Sequence, residues 1–337
     1  MSTYYRPIIQ NDTAKPDVFH KLSNQKQWFD RVERMVRGKT SEIVSVEKMP
    51  KEALKKLTDV RFSDQFDCFS KPLIMGILNV TPDSFSDGGQ NFKLADAIKA
   101  AEQMIADGAD IIDIGGESTR PGAEEISDKV ELLRIEPVIN EIKSKFPNCQ
   151  ISVDTRKASI MARALELGVT FINDVSALTF DKQSTEIMIK GNGQVCLMHG
   201  GLNPKKMQKN TVYDDIILDV YDYLKDRIDA VVLAGIKKEN IIVDPGIGFG
   251  KTYSQNIQLI QNASLFHSLG CPVLFGVSRK SFIGHIGQAT KTKDRFPGSI
   301  AVAIELIRQG VQIIRVHDCK ETRQAFALYE AIQNGFE

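Results

Sequence analysis

The stretch "MGILNVTPDSFSDGG", residues 75–89, contains the pattern from which the fold of this chain can be read. It begins as an apolar run that ends near Asn79, and it continues as a polar loop that contains Phe85 and closes on two glycines. A short apolar run followed by Pro, Asp, Ser and Gly is typical of a buried strand and the turn after it. We therefore expect a strand ending at Asn79, followed by a mobile loop that can close over a substrate.

The same pattern recurs along the chain as far as its C-terminal region. The eight apolar runs are "PLIMGILNV", "DIIDIGG", "QISVD", "TFIND", "QVCLMH", "NIIVDPG", "PVLFGVS" and "QIIRVH". Candidate helices such as "LADAIKAAEQMIADG" and "SIAVAIELIRQG" lie between them, and several end in Gly, a common helix stop. Apolar strands that alternate with helices pair in parallel and are covered on both faces. Eight such units in about 265 residues predict an α/β fold, a (β/α)8 TIM barrel over residues 71–337. A doubly wound open sheet is the alternative, because periodicity does not show closure.

Residues 1–70 have a different pattern and are expected to form an N-terminal extension packed on the barrel, partly helical and partly extended. The spacing of apolar residues in "NQKQWFDRVERMVRG" (24–38) predicts an amphipathic helix. A short strand is predicted in "EIVSVEKMP" (42–50) and a second helix in "KEALKKLTDV" (51–60). We interpret Trp28 as a structural anchor, and we expect the extension to brace the closed end of the barrel.

Composition excludes several functional classes. Hydrophobic residues make up 42% of the chain, charged residues make up 26%, and the formal net charge is zero, so neither a nucleic-acid partner nor a membrane surface is predicted. The N-terminal segment lacks the features of a signal peptide, and no apolar run approaches the length of a membrane span. The scattered cysteines without a CxxC pair predict reduced thiols in a cytoplasmic protein. They are Cys68, Cys149, Cys196, Cys271 and Cys319.

Polar residues stand at the ends of all eight apolar runs. In chain order they are Asn79, Asp113, Asp154, Asn173, His199, Asp244, Ser278 with Arg279 and Lys280, and Arg315 with His317. The C-terminal ends of barrel strands open on one face, where this fold places its active site. One such residue would be an ordinary turn or cap residue. Their presence at every run predicts one polar pocket above an apolar barrel.

The residue types in this pocket favour two kinds of ligand and a metal. Asp154, Asn173 and Asp244 need donors when buried, and a heterocycle with adjacent N–H groups could supply them. A cationic group suits an anion such as phosphate or carboxylate. Its members are Arg120, Lys280, Arg315 and His317. Asn79 and Asp113 offer hard oxygen ligands, which suit Mg²⁺ better than zinc.

The segment "GIGFGKT" (246–252) resembles a phosphate-binding loop without meeting its requirements. The Walker pattern needs Gly where Pro245 stands, and the dinucleotide fingerprint needs a third Gly at a spacing that is not present. A nucleotide loop is therefore not predicted. His20, His267 and His285 are interpreted as surface or core histidines without a functional role.

Seven motifs resemble those of the dihydropteroate synthases, a family of pterin-binding enzymes. "MGILNVTPDSFSDGG" and "DIGGESTRPGA" are similar to the two signatures of that family. "SVDTRKA", "FINDVSAL", "DPGIGFGKT", "GVSRKSFIG" and "RVHD" match further motifs in the same order. The resemblance runs from about residue 72 to the C-terminal region and leaves the first 70 residues uncovered.

The resemblance implies a transferase of folate synthesis. It would join 6-hydroxymethyl-7,8-dihydropterin pyrophosphate to p-aminobenzoate, giving 7,8-dihydropteroate and pyrophosphate. It also implies an Mg²⁺ cofactor, a cytoplasmic homodimer that pairs through helices late in the barrel, and a target of sulfonamides.

Site residues follow from the same resemblance, position by position. The pterin would be held by Asp154, Asn173, Asp244 and Lys280. The pyrophosphate would be bound by Asn79, Arg120, Arg315 and His317. The p-aminobenzoate site would be lined by Phe85, Thr119, Arg120, Pro121, Phe249 and Ser278. Catalysis would depend on Asn79, Asp154, Lys280, Arg315 and His317. Asn79 would also ligate Mg²⁺, with Asp113 organising the metal and the second loop.

One segment departs from the family. The family usually has His, Met, Gln, Gly after the fifth strand, whereas this chain has "HGGLNPKKMQ" (199–208). The changed side chains, Gly200 to Leu202, flank the pterin pocket in the family, which puts local contacts in doubt but not the reaction class. A non-catalytic pterin-binding paralogue is the alternative, and a corrinoid-linked pterin methyltransferase is less favoured.

Overall fold

The computed structural model describes residues 2–61, 66, 69–81, 90–117, 125–200 and 211–335. The N-terminal elements are β1 (Thr3–Pro7), β2 (His20–Lys21), β3 (Trp28–Phe29), β4 (Arg31–Val36), β5 (Glu42–Ser45), a 3-10 turn (Val46–Lys48) and α1 (Lys51–Thr58). None of the helices in these described ranges is long and apolar enough to cross a membrane.

Eight parallel strands and the helices between them form the rest of the chain. The strands are β6 (Leu73–Asn79), β7 (Ile111–Gly115), β8 (Gln150–Asp154), β9 (Phe171–Asp174), β10 (Gln194–Met198), β11 (Ile241–Asp244), β12 (Leu274–Gly276) and β13 (Ile313–Val316). The helices are α2 (Gln90–Ala106), α3 (Asp128–Lys145), α4 (Ala158–Glu166), α5 (Ser184–Gly191), α6 (Ile216–Ala234), α7 (Tyr253–Gln261), α8 (Ser281–Ile286), α9 (Phe296–Arg308) and α10 (Cys319–Asn334). Shorter 3-10 segments are Lys238–Asn240, Ala263–Leu269 and Thr292–Arg295.

The eight-stranded sheet closes on itself. Its hydrogen-bonded order is β11-β10-β9-β8-β7-β6-β13-β12, so β11 and β12 are the two ends. These ends meet at a parallel bridge between Val243 and Val273, where the Val243 N–H also donates to the Pro272 carbonyl at 3.0 Å. The predicted (β/α)8 TIM barrel is confirmed, and the open sheet is excluded.

The barrel interior has an apolar layer at the N-terminal ends of the strands. One buried cluster contains Leu73, Met75, Ile111, Phe171, Cys196, Ile242, Leu274 and Ile313, together with Phe66 and Phe69 from the segment before β6. The Phe66 ring lies 6.4 Å from that of Phe171 and 5.5 Å from that of Phe69. Burying one such side chain stabilises a fold by about 1.5–3 kcal/mol. Because successive side chains of a strand face opposite sides, the next inward layer lies two residues further along, where the polar residues stand.

The helix predicted over residues 24–38 is wrong, because this segment forms β3 and β4. β4 is the central strand of a three-stranded antiparallel sheet in the order β1-β4-β5. Two of its charged residues face opposite charges across the sheet: Arg34 is opposite Glu42, and Glu33 Oε2 accepts from Arg6 Nε at 2.6 Å. Pairing on both sides satisfies the backbone of this segment, and that tertiary context outweighs the helical spacing of its apolar residues. The predicted strand and helix that follow are confirmed as β5 and α1.

The N-terminal segment contacts the barrel through buried and half-buried polar groups. Tyr4 Oη donates to Asp222 Oδ2 on α6 at 2.9 Å, and Arg37 Nη2 donates to the same atom at 2.8 Å. Trp28 is buried, and its indole N–H donates to the Asp12 carbonyl at 2.8 Å within the segment. The division of the chain at residue 70 stays a prediction.

His267 is a core histidine that joins the segment to the barrel. Arg61 Nη1 lies 3.2 Å from His267 Nδ1, and Arg61 Nη2 donates to the His267 carbonyl at 3.1 Å. A guanidinium only donates, so Nδ1 accepts and the ring proton is on Nε2, which donates to the Gln309 carbonyl at 2.9 Å. Burial, with the Arg61 charge adding to it, lowers the pKa of His267 to about 3.

Candidate active site

A charged cluster occupies the interior of the barrel above the apolar layer. Arg315 Nε donates to Asp113 Oδ2 at 2.6 Å, and Arg315 Nη2 donates to Asp154 Oδ2 at 2.9 Å. Asn173 Nδ2 donates to the same Asp113 oxygen at 3.1 Å. The closed parallel sheet causes this meeting, since β13, β7, β8 and β9 lie close together around the barrel and each presents an inward side chain near its C-terminal end. Four residues predicted from separate motifs are therefore in one place.

The carboxylates of this cluster are not fully satisfied. Within the described part of the chain, Asp113 Oδ1 and Asp154 Oδ1 are buried and have no hydrogen-bond partner. Burial raises the pKa of Asp154 to about 7, against the opposing effect of the Arg315 charge. Buried oxygens of this kind favour a ligand that brings donors.

Asp244 and Lys280 line a second side of the pocket. Asp244 Oδ1 accepts from the Gly246 N–H at 2.8 Å, and burial raises its pKa to about 6. Lys280 Nζ lies 4.4 Å from the centre of the Phe249 ring. Burial and the nearby Arg315 charge lower the pKa of Lys280 to about 8, which leaves it mostly cationic at neutral pH.

His317 is held by Ser278. Its backbone N–H donates to Ser278 Oγ at 3.1 Å, and its Nδ1 lies 3.0 Å from the same hydroxyl. Burial, and next the Arg315 charge, lowers the pKa of His317 to about 3, so the ring is neutral. Arg279, the neighbouring strand-end cation, instead donates through Nε to Asp318 at 3.0 Å.

Asn79 ends β6 directly opposite Gly115 of β7. A Cβ on Gly115 would lie 3.5 Å from Asn79 Oδ1 and 4.0 Å from Asp154 Oδ2. The missing side chain at Gly115 thus leaves room between an amide oxygen and a carboxylate. Hard oxygen donors around such a space fit Mg²⁺. Among the described residues, no group of three or more His, Cys, Asp or Glu side chains could hold a metal ion.

Several predicted site residues lie outside the described residues. They are Phe85, Thr119, Arg120 and Pro121, and in the departing segment Gly201 and Leu202. Gly200 is described, and a Cβ there would lie 2.6 Å from the Val175 carbonyl oxygen. A backbone placed this close to its neighbour requires glycine, which gives a local reason for the departure at this position.

Two buried groups were missed by the sequence reasoning. Lys157 Nζ donates to Glu131 Oε2 at 2.8 Å and to the Ile126 carbonyl at 2.6 Å, and it pairs with Glu117 at 3.4 Å. The other is Lys251, whose Nζ donates to three carbonyls and contacts a histidine. Lys157 stands in the largely polar motif "SVDTRKA" and Lys251 in the Gly-rich motif "DPGIGFGKT", and neither context separates a buried lysine from an exposed one.

The fold and site define a class of enzyme. It is a parallel barrel whose pocket, at the C-terminal ends of the strands, offers buried carboxylates to a ligand with N–H donors and offers cations to an anion. Residues 75–317 match the model of the pterin binding enzymes, and the chain belongs to this family.

Individual relatives agree with this assignment. The chain is 46% identical over 266 residues to a dihydropteroate synthase of Haemophilus influenzae, covering 79% of this chain and 95% of the relative. It is 44% identical to the dihydropteroate synthase of Clostridium difficile, solved in the presence of pteroic acid, with a TM-score of 0.74 over 80% of this chain and 99% of that one. It is 38% identical to the Xanthomonas albilineans enzyme solved with 4-aminobenzoic acid, with a TM-score of 0.75 over 79% of this chain and 94% of that one.

Proposed function

We propose that this protein is a dihydropteroate synthase, which condenses 6-hydroxymethyl-7,8-dihydropterin pyrophosphate with p-aminobenzoate and releases pyrophosphate. The observation that carries the proposal is the interior cluster of Asp113, Asp154, Asn173 and Arg315, with unpartnered carboxylate oxygens, in a chain that covers nearly the full length of dihydropteroate synthases.

The pterin ring would be held on the carboxylate side of the pocket. Asp244 keeps one oxygen on the Gly246 N–H, so its other oxygen can accept from the amino-pyrimidine edge. Asp154 and Asn173 would bind the remaining ring donors and acceptors, and Lys280 would lie over the ring system near Phe249. This arrangement supports the predicted pterin-binding roles.

The pyrophosphate would be bound on the cationic side. Ser278 Oγ accepts from the His317 backbone N–H, so its own proton is free to go to His317 Nδ1. The ring proton is then on Nε2, from which neutral His317 can donate to a phosphate oxygen. Arg315 supplies fixed positive charge close by, and Arg120 would add a second guanidinium.

Asn79 would hold Mg²⁺ through its amide oxygen, with Asp113 supporting it. When bound, the ion supplies positive charge that offsets the charge of the leaving pyrophosphate.

Catalysis would then depend on electrostatics and positioning. Pyrophosphate leaves first, its charge offset by Arg315 and Lys280 and stabilised by a hydrogen bond from neutral His317. The carbocation at the pterin methylene is stabilised by its own ring and by the Asp154 carboxylate. The p-aminobenzoate amine, oriented near Phe249 and Ser278, attacks it and then gives its extra proton to water. No strong general base is needed, because the loss of pyrophosphate makes the carbon electrophilic.

We also propose a cytoplasmic homodimer. Among the described cysteines, Cys149, Cys196, Cys271 and Cys319 are free, which supports a reducing compartment. Leu328 and Ile332 on α10 are exposed apolar side chains that a second copy could cover.

The function is tested by measuring pyrophosphate release from pterin pyrophosphate with and without p-aminobenzoate. Release is expected only when both substrates are present. Tight binding of the pterin without any release would instead favour a non-catalytic pterin-binding paralogue. An Arg315→Ala variant should lose far more turnover than pterin affinity, and an equal loss of both would argue against the pyrophosphate role.

A further inference from the structure

The turn after β11 is held by a buried ammonium group. Lys251 is 4% exposed, and its Nζ donates to the carbonyls of Gly246 at 2.9 Å, Phe249 at 2.9 Å and His199 at 3.1 Å. The same atom lies 2.9 Å from His199 Nδ1. Burial lowers the pKa of Lys251 to about 7, with the nearby Asp244 charge opposing that shift, and its charged form has three N–H groups for these four acceptors. In the described part of the chain, the hydrogen bonds of this cation all go to neutral acceptors.

This turn presents two predicted substrate contacts to the pocket. The Gly246 N–H orients Asp244 through its Oδ1, and Phe249 lies under the Lys280 ammonium. The turn also lies unusually close to the end of β10. Gly246 has φ +71°, and a Cβ there would lie 2.1 Å from the His199 carbonyl oxygen.

The carbonyls around Lys251 would not adopt this arrangement unaided. Three carbonyl dipoles and an imidazole lone pair converge on one point, which is repulsive unless a cation occupies it. Lys251 therefore determines where the turn lies relative to β10, and so where Asp244 and Phe249 lie relative to each other.

We propose that Lys251 is a positioning residue for the condensation: it fixes the turn after β11 so that Asp244 faces the pterin and Phe249 faces p-aminobenzoate. This inference rests on the proposed function. Lys251 would affect the affinity for both substrates through the position of the turn, without contacting either substrate itself.

The test compares Lys251→Met with the wild-type enzyme. Methionine keeps the length of the side chain and removes its donors. We expect the KM for p-aminobenzoate and the dissociation constant of the pterin pyrophosphate each to rise about tenfold or more. Both quantities are measured under conditions where circular dichroism shows the variant to be fully folded, because a partly folded population would itself weaken the apparent affinity. Lys238→Met, on the exposed turn that precedes β11, is the matched control and should leave both unchanged.

A second variant keeps the test valid if Lys251→Met folds poorly. Lys251→Ala leaves a space that ethylammonium can enter, and we expect ethylammonium, but not ethanol, to bring KM back toward the wild-type value. Unchanged KM and pterin affinity in the folded fraction of either variant would overturn the proposal. Absence of p-aminobenzoate-dependent release in the wild type would count against the proposed function instead, and pterin affinity, measured calorimetrically, would still test Lys251.

Discussion

Removal of Arg315 should have a stability cost that can be worked out from its contacts. Its guanidinium balances Asp113 and Asp154, whose side chains are 0% and 8% exposed. In Arg315→Met the packing volume is largely kept, but two buried carboxylates lose their cation. Breaking a buried pair by removing one partner costs about 3–5 kcal/mol. With an unfolding entropy of roughly 2 cal/mol/K per residue, this corresponds to a fall in Tm of about 4–7 °C for a chain of this length.

The stability lost in Arg315→Met should also grow as pH rises. The pKa of Asp154 is raised by burial to about 7 in the folded protein, and Arg315 opposes that rise, so the variant should have a still higher pKa at Asp154. A carboxyl group whose pKa is higher in the folded state contributes stability at pH below its ordinary value of about 4, and this is lost as pH rises through the folded pKa. The unfolding free energy of the variant should therefore be further below that of the wild type at pH 8 than at pH 5.

The assay is denaturant unfolding of both proteins at pH 5, 6, 7 and 8. Arg163→Met is the control, since Arg163 is 40% exposed and pairs with Glu136 on the surface. Removing such a surface pair should cost less than about 1 kcal/mol at every pH. A deficit for Arg315→Met that is constant from pH 5 to pH 8, or no larger than that of the control, would refute the reasoning.

Three further predictions concern other residues of the fold and site. Gly246 and Gly38 share φ +71°, but a Cβ on Gly38 meets nothing within 4 Å, whereas one on Gly246 would meet a carbonyl oxygen at 2.1 Å. Gly38→Ala should therefore cost only about 1–2 kcal/mol of unfolding free energy, while Gly246→Ala should cost more and also weaken pterin binding; equal effects would contradict this. Asp244→Ala should raise the pterin dissociation constant at least about tenfold, since each unpaired ring donor costs roughly 1–3 kcal/mol, and calorimetry giving near-normal affinity would exclude that contact. His267→Leu should lower the unfolding free energy by about 1–3 kcal/mol because buried Arg61 loses an acceptor; unchanged denaturation would contradict the linking role.

The barrel could be predicted from the sequence because its signal is local and repeated. Each strand is apolar through most of its length and ends in a polar residue, as in β6, which is buried up to Asn79. The N-terminal sheet could not be predicted in the same way. Residues 28–36 have apolar side chains at helical spacing, and they form strands because β1 and β5 are available to pair with them.

The site was predicted residue by residue, but its internal contacts were not. The sequence places Asp113, Asp154 and Arg315 at strand ends, yet their pairing depends on register between strands that are far apart in the chain. The sequence reasoning expected the buried carboxylates to rely on a ligand for their donors. Arg315 supplies donors to one oxygen of Asp113 and one of Asp154. The other oxygen of each carboxylate still needs a donor from a ligand. Lys251 was missed because burial of a lysine is decided by the three carbonyls around it.

The central claim is that this pocket joins the two substrates, and the fate of the p-aminobenzoate nitrogen tests it most directly. Purified protein would be incubated with pterin pyrophosphate, Mg²⁺ and ¹⁵N-labelled p-aminobenzoate, and the products would be analysed by mass spectrometry and a pyrophosphate assay. We predict 7,8-dihydropteroate that carries the label, formed in equal amount with pyrophosphate. Pyrophosphate released without labelled dihydropteroate, or neither product, would contradict the account.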